Sequence, residues 1–131
     1  LPGRAKTMGE GWETRRRRGA GHDWIIVRLA TSAKIRKLEV DTNHFKGNFP
    51  ESCSIEACSH LARNLLPADF RDRGDLIWQE VLPRTKLQAN FQHMFEKELR
   101  SEITAVKVDY VRLTIFPDGG VSRLKIMGVL D

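Results

Sequence analysis

The sequence predicts an all-β protein, an antiparallel β-sandwich, and three observations lead there. Residues 23–29 read Asp-Trp-Ile-Ile-Val-Arg-Leu, a β-branched run too short for a helix and apolar on both faces, as a sandwich-core strand is. Val111, Leu113 and Ile115 alternate with Arg112 and Thr114, and further on Leu124 and Ile126 alternate with Arg123 and Lys125. Between these two runs, Pro117-Asp118-Gly119-Gly120 forms a four-residue turn, so a β-hairpin is expected from them. With residues 34–40 as a further strand, antiparallel sheets packed face to face account best for the pattern.

Taken in order, residues 1–8 form a lead-in and residues 9–131 a single domain. Gly9 to Thr14 is a turn that delivers Trp12 and Glu13. Arg15 to Arg18 form a run of four arginines, framed closely enough by Thr14 and Gly19 to suit a turn or strand edge rather than an arm. In residues 34–40, Leu38 and Val40 point inward while Lys37 and Glu39 point outward, and Ile35 breaks that phase, which predicts a bulge. The middle of the chain is ambiguous. Ile55, Cys58, Leu61, Ala62 and Leu65 recur at helical spacing, as do Leu87, Phe91, Phe95 and Leu99, so periodicity alone makes both segments helices. Pro67 and residues 69–75 read as a polar loop, and residues 76–87 as a strand ended by a turn at Pro83. No internal repeat is visible.

Composition narrows the function classes. A chain of 131 residues with 40% hydrophobic and 30% charged residues can bury one core and matches ordinary soluble domains. No apolar run approaches the roughly 20 residues of a membrane span, and no leader of signal-peptide type opens the sequence. The chain opens Leu1-Pro2 rather than on Met, as a piece of a longer protein does, and its last residues carry no peroxisomal address. The net charge of +5 rests largely on the arginine run, with no second basic stripe, so neither nucleic acid nor a membrane surface is expected as a partner. Two cysteines are too few for a disulfide framework. On a strand over 52–57, their odd separation turns Cys53 and Cys58 to opposite faces. Neither they nor His60 show zinc-ligand spacing, so both thiols are expected to be buried and reduced, in a cytoplasmic setting with other organelles left open. No metal or other cofactor is expected.

Residues 39–50, Glu-Val-Asp-Thr-Asn-His-Phe-Lys-Gly-Asn-Phe-Pro, gather the chemistry. Asp41 accepts hydrogen bonds, Thr42 and Asn48 donate or accept, and His44 exchanges a proton near neutral pH. Phe45 and Phe49 suggest a walled pocket or a loop packed back on the fold. A packed Asx-type turn with a satisfied histidine accounts for the same residues. Trp12 and Trp24 read as core or pocket wall rather than as catalytic groups, Glu13 as a partner for an arginine, and His22, His60 and His93 as surface or satisfied histidines.

Gly11-Trp12-Glu13-Thr14-Arg15, residues 23–29, Val40-Asp41-Thr42 with His44-Phe45-Lys46-Gly47-Asn48 and Pro50, and Pro117-Asp118-Gly119-Gly120-Val121-Ser122-Arg123-Leu124 resemble allantoicase in order and gaps, over about residues 8–128. The resemblance implies a galactose-binding-like, discoidin-like jelly roll, present twice in the family, of which this is the second copy. It implies strands at 52–57 and near 93–98, against the helical periodicity. We follow it for the first segment and leave 87–99 open. The activity implied is hydrolysis of allantoate to ureidoglycolate and urea in purine breakdown, in a homo-oligomer; if the site needs both copies or neighbouring subunits, one copy alone is inert. Given that substrate, Arg15 or Arg123 is the expected carboxylate clamp. Glu13, Asp41 and Asn48 are candidate acceptors for ureido N–H groups, with Thr42 and Trp12 also lining the site. His44, with Asp41 or Glu13, forms the candidate acid–base pair. The alternative is a non-catalytic binding or assembly module on the same fold.

Overall fold

One strand organises the structure. Residues 22–41 run as a single 20-residue strand, β3 (His22–Asp41), where the sequence had suggested two. β-branched and aliphatic residues dominate its length, and it carries no glycine or proline to stop it. The structure, a computed structural model, describes residues 6–7, 14–19, 22–45, 47–59, 77–117 and 119–130, with residues 6–7, 14–19 and 22–23 given by backbone alone. Trp12, Glu13, His60 and the expected polar loop at 67–75 lie outside the described residues.

The other elements are β1 (Lys6–Thr7), β2 (Thr14–Gly19), β4 (Ser52–Cys58), β5 (Gln79–Lys86), β6 (Gln92–Phe95), the short helix α1 (Ser101–Thr104), β7 (Val108–Phe116) and β8 (Arg123–Val129). All pairings are antiparallel. The first half of β3 lies between β2 and β7, and the sheet continues through β4 to β5. Its second half lies between β6 and β8, with β1 beyond β8. β3 changes sheets through two irregularities, one between Arg28 and Ala33 against β7 and one between Ile35 and Lys37 against β8. The second is the bulge that the phase break at Ile35 predicted. The result is the expected antiparallel sandwich. Val27, Leu38, Val40, Ile55, Leu82 and Val111 are fully buried between the layers. A smaller cluster of Ile26, Cys58 and Tyr110, flanked by Trp24 and Trp78, is built from the alternate positions of the first sheet.

Three expectations need correction, those for the hairpin, for Pro83 and for Glu39, and one ambiguity is resolved. Residues 111–116 and 121–127 do not form a hairpin: β7 pairs with β3 and β4, and β8 with β3 and β1. Alternation identifies a strand but not its partner. Here the 117–122 connection crosses from one sheet to the other. Both segments with helical spacing contain strands, as the resemblance implied for 52–57 and near 93–98 against periodicity alone. β4 is held between β5 and β7, and β6 pairs with the end of β3. In β6 the buried positions are His93 and Phe95, a period of two, while Phe91 is 45% exposed, so the spacing of four was coincidental. Pro83 does not end its strand. β5 is an edge strand, and its register slips between Thr85 and Leu82 opposite Cys53 and Ile55, the kind of place where a sheet tolerates proline. Finally, Glu39 alternates with Leu38 and Val40 as expected, yet it is only 2% exposed.

Cys53 and Cys58 are unbonded and buried, one in the main core and the other in the smaller cluster, on opposite faces of β4 as expected. Burial pushes both thiols up to about 12 from an ordinary 9.0, with the Asp109 carboxylate adding to the rise at Cys58. Below pH 9.0 the folded and unfolded chains both hold these protons. As pH climbs from there toward 12 the unfolded chain releases them first, so stability is expected to fall across that window. A thiol-specific disulfide reagent at pH 8 should leave both cysteines unlabelled until denaturant is added. Rapid labelling of the folded chain would contradict this burial.

Candidate active site

The loop after β3 is built as an interlocked turn. Asp41 ends the strand, 7% exposed, and its carboxylate closes an Asx turn. Oδ1 accepts from the Asn43 backbone N–H at 2.8 Å and Oδ2 from Asn43 Nδ2 at 3.2 Å. Thr42 is fully buried; its hydroxyl donates to the Gln88 carbonyl at 2.6 Å and accepts from the Phe91 N–H at 3.0 Å. The Thr42 N–H also donates to the Phe91 carbonyl at 2.9 Å. His44 follows, exposed and in the left-handed region at φ 74°. Its N–H donates to Asn90 Oδ1 at 2.9 Å, and the Asn90 N–H donates to the Phe45 carbonyl at 3.1 Å. The 88–91 turn thus clasps the 41–45 turn from the side.

The 117–122 crossover closes the other side. The Gly120 N–H donates to the Asn48 carbonyl at 2.7 Å, and both the N–H and the hydroxyl of Ser122 donate to the Asp41 carbonyl at 2.8 and 2.9 Å. Glycine is required at two points here. A Cβ on Gly120 would come within 2.1 Å of the Phe45 ring. Gly119, at φ 127°, would bring one within 2.8 Å of the Asn48 carbonyl oxygen.

Three cavities open at this end of the sandwich. One of about 210 Å³ is lined by Trp24, Ile25, Phe45, Leu113, Ile115 and residues 119–121. A second, of about 290 Å³, shares Ile25, Leu113 and Val121 with it and extends to Arg123. A third, of about 360 Å³, lies under Asn48 and Phe49, with Glu51 and Lys86 on its wall. The adjoining first two have an apolar floor and carry one guanidinium at the edge. That arrangement can strengthen a charged contact by limiting water.

Among the sequence-derived candidates, Asp41, Thr42, His44 and Asn48 share this loop, and Arg123 stands opposite Asp41 in the β3–β8 register. Asn48 and Arg123 line cavities; Asp41 and Thr42 are engaged in holding the turn, and the His44 ring makes no hydrogen bond among the described residues. Arg15 lies in β2 with its backbone opposite Ile26, at the far side of β3 from β7. Trp12 and Glu13 fall outside the described residues. Sequence reasoning missed Asn90, whose signal was the Gln88-Ala89-Asn90 turn composition, and Glu39. The latter accepts from Gln92 Nε2 at 2.8 Å through Oε1, while its buried Oε2 has no partner among the described residues. His93 is a satisfied core histidine: Nε2 accepts from the Gln88 N–H at 2.8 Å, and Nδ1 donates to the Val40 carbonyl at 2.9 Å. Among the described residues no group of three or more His, Cys, Asp or Glu side chains could hold a metal ion, and no helix is long and apolar enough to cross a membrane.

The model of the family described as "Allantoicase repeat" matches residues 1–131. A "Probable allantoicase" of Pseudomonas paraeruginosa is 49% identical over 127 residues, covering 97% of this chain and 36% of that protein. The crystal structure of Saccharomyces cerevisiae allantoicase superposes with a TM-score of 0.63 at 35% identity, over 98% of this chain and 34% of that one. An F5/8 type C domain from Bacteroides fragilis superposes equally well, TM-score 0.63, over 99% of this chain and all of its own. At 11% identity it shows the fold alone. The chain therefore spans about a third of the length of the allantoicases it matches.

Proposed function

The chain belongs to the allantoicase family, and from that premise we propose that the full-length protein hydrolyses allantoate to ureidoglycolate and urea, with part of the active site on the 41–48 loop and its neighbours. The family match across all of residues 1–131 carries this reading. In the reaction a water oxygen bonds to the central carbon as the C–N bond to one ureido group breaks. The water gives up one proton, and the departing urea nitrogen takes one. His44, exposed at the loop's tip, is proposed to move a proton on one of these legs. Arg123, on the rim of the apolar cavity, is proposed to hold the substrate carboxylate, a role suited to a planar guanidinium. The Asn48 amide offers ureido groups both a donor and an acceptor. Asp41 and Thr42 act by shaping the loop, because their side chains are already bonded within it. Glu13, Arg15 and Trp12 complete the proposed set.

The engaged state of Asp41 and Thr42 also suits a second reading, a non-catalytic assembly module kept beside an active copy. We further propose a second copy of this domain in the full-length chain, assembly into a homo-oligomer, and a cytoplasmic setting in keeping with two buried unbonded thiols. Urea release from allantoate, measured for the full-length protein and for residues 1–131 alone, tests the main reading. Release by the full-length protein is expected. Release by the short chain as well would place the whole site in this repeat, whereas silence of the full-length protein would overturn the assignment.

A further inference from the structure

We infer that Asn90 is the positioning residue that sets the aim of His44; the inference rests on the acid–base role proposed above for His44. The His44 ring has no hydrogen bond among the described residues, so of the described structure it is the His44 backbone that sets the direction of the imidazole. That backbone is in an uncommon conformation, φ 74°, which a non-glycine residue keeps only when its surroundings hold it there.

The holding group is Asn90. Its Oδ1 accepts the His44 N–H at 2.9 Å, and its own N–H donates to the Phe45 carbonyl at 3.1 Å, so one residue brackets the peptide that follows His44. Asn90 is itself left-handed, at φ 48°, a region asparagine tolerates better than most residues. The turn that presents it is anchored from behind. Gln88 donates its N–H to His93 Nε2, His93 Nδ1 donates to the Val40 carbonyl, and the Thr42 hydroxyl spans Gln88 and Phe91. A rigid strand pair, β3 with β6, thus fixes Asn90, and Asn90 fixes His44. A group that moves a proton must sit within hydrogen-bond reach of its target, and a displacement of about 1 Å lowers such rates by as much as roughly 100-fold.

The test uses the full-length protein with allantoate as substrate. Asn90→Gly keeps the left-handed backbone and removes the acceptor; Asn90→Asp keeps an acceptor oxygen at the same reach. Asn90→Gly is expected to lower kcat by about 10- to 100-fold with KM within a few-fold of wild type. Asn90→Asp should return kcat to within a few-fold, and the thermal midpoint of both variants should stay near that of wild type. If Asn90→Gly does not fold, Asn90→Ser, whose hydroxyl is too short to reach the His44 N–H, is read in its place. Full kcat in Asn90→Gly or Asn90→Ser beside an inactive His44→Ala overturns the inference and leaves the role of His44 standing. An active His44→Ala, or a wild-type protein that releases no urea, overturns both.

Discussion

Replacing His44 with alanine in the full-length protein is expected to lower urea release from allantoate by roughly 10²- to 10⁴-fold, the range a positioned general acid or base supplies. The expectation follows from what the loop leaves available. Asp41 spends both carboxylate oxygens on Asn43, and Thr42 is fully buried with its hydroxyl bonded to Gln88 and Phe91. Of residues 41–44, His44 is the exposed one, and its imidazole makes no hydrogen bond among the described residues. Alanine also changes a backbone held at φ 74°, so His44→Asn serves as the companion variant. Asparagine accepts that conformation and carries no proton to exchange near neutral pH. Both variants should lose turnover alike and both should fold, as judged by circular dichroism. A loss of only a few-fold in His44→Asn would remove His44 from the acid–base role and move the search to Glu13.

Gly119→Ala is expected to destabilise the domain by about 3 kcal/mol, combining an unfavourable backbone conformation with a backbone clash. The new Cβ would stand 2.7 Å from the Pro50 nitrogen and 2.8 Å from both the Asn48 oxygen and the Phe49 carbonyl carbon, none of which is the far end of a flexible side chain. Relief requires the crossover and the loop to part, which would stretch the 2.7 Å bond from the Gly120 N–H to the Asn48 carbonyl. Gly47→Ala is the control, because a Cβ there meets nothing within 4 Å; its effect should stay within about 0.5 kcal/mol. Denaturant midpoints of the two variants at equal m-value give the comparison. Equal midpoints would mean that the crossover is not seated against the loop.

The sandwich was legible wherever a face rule applied. Trp24 to Leu29 and residues 111–115 announce strands because β-branched residues and strict alternation fit a pleat and little else. Partners were not legible. Pro117 to Gly120 has the composition of a hairpin turn, but the Gly120 N–H donates to Asn48 and the following Ser122 donates to Asp41, groups about 70 to 80 residues away in sequence. Local composition cannot distinguish a turn that returns to its own sheet from a crossover to the facing one. The spacing of Leu87, Phe91, Phe95 and Leu99 misled for a related reason: Asn90 turns left-handed within it, and only His93 and Phe95 keep strand phase. In the site, the 41–48 loop stood out because turn chemistry and titratable groups coincide there. Asn90 did not, since its importance lies in a hydrogen bond across 46 residues of sequence. Glu39 alternates with the core residues as read, but its burial, and an oxygen with no partner among the described residues, depend on packing that alternation does not record.

β3 is hydrogen-bonded on both flanks, to β2 and β7 in one layer and to β6 and β8 in the other. The two layers consequently have no seam along which one could melt while the other stayed intact. Amides along both halves of β3 should show one common opening free energy in native-state exchange, that of global unfolding, while the outermost strands β1 and β5 exchange sooner by fraying. The 41–48 loop, proposed to carry part of the active site, hangs from the end of this strand, so the geometry around His44 is expected to persist up to the unfolding transition and to be lost together with the rest of the domain.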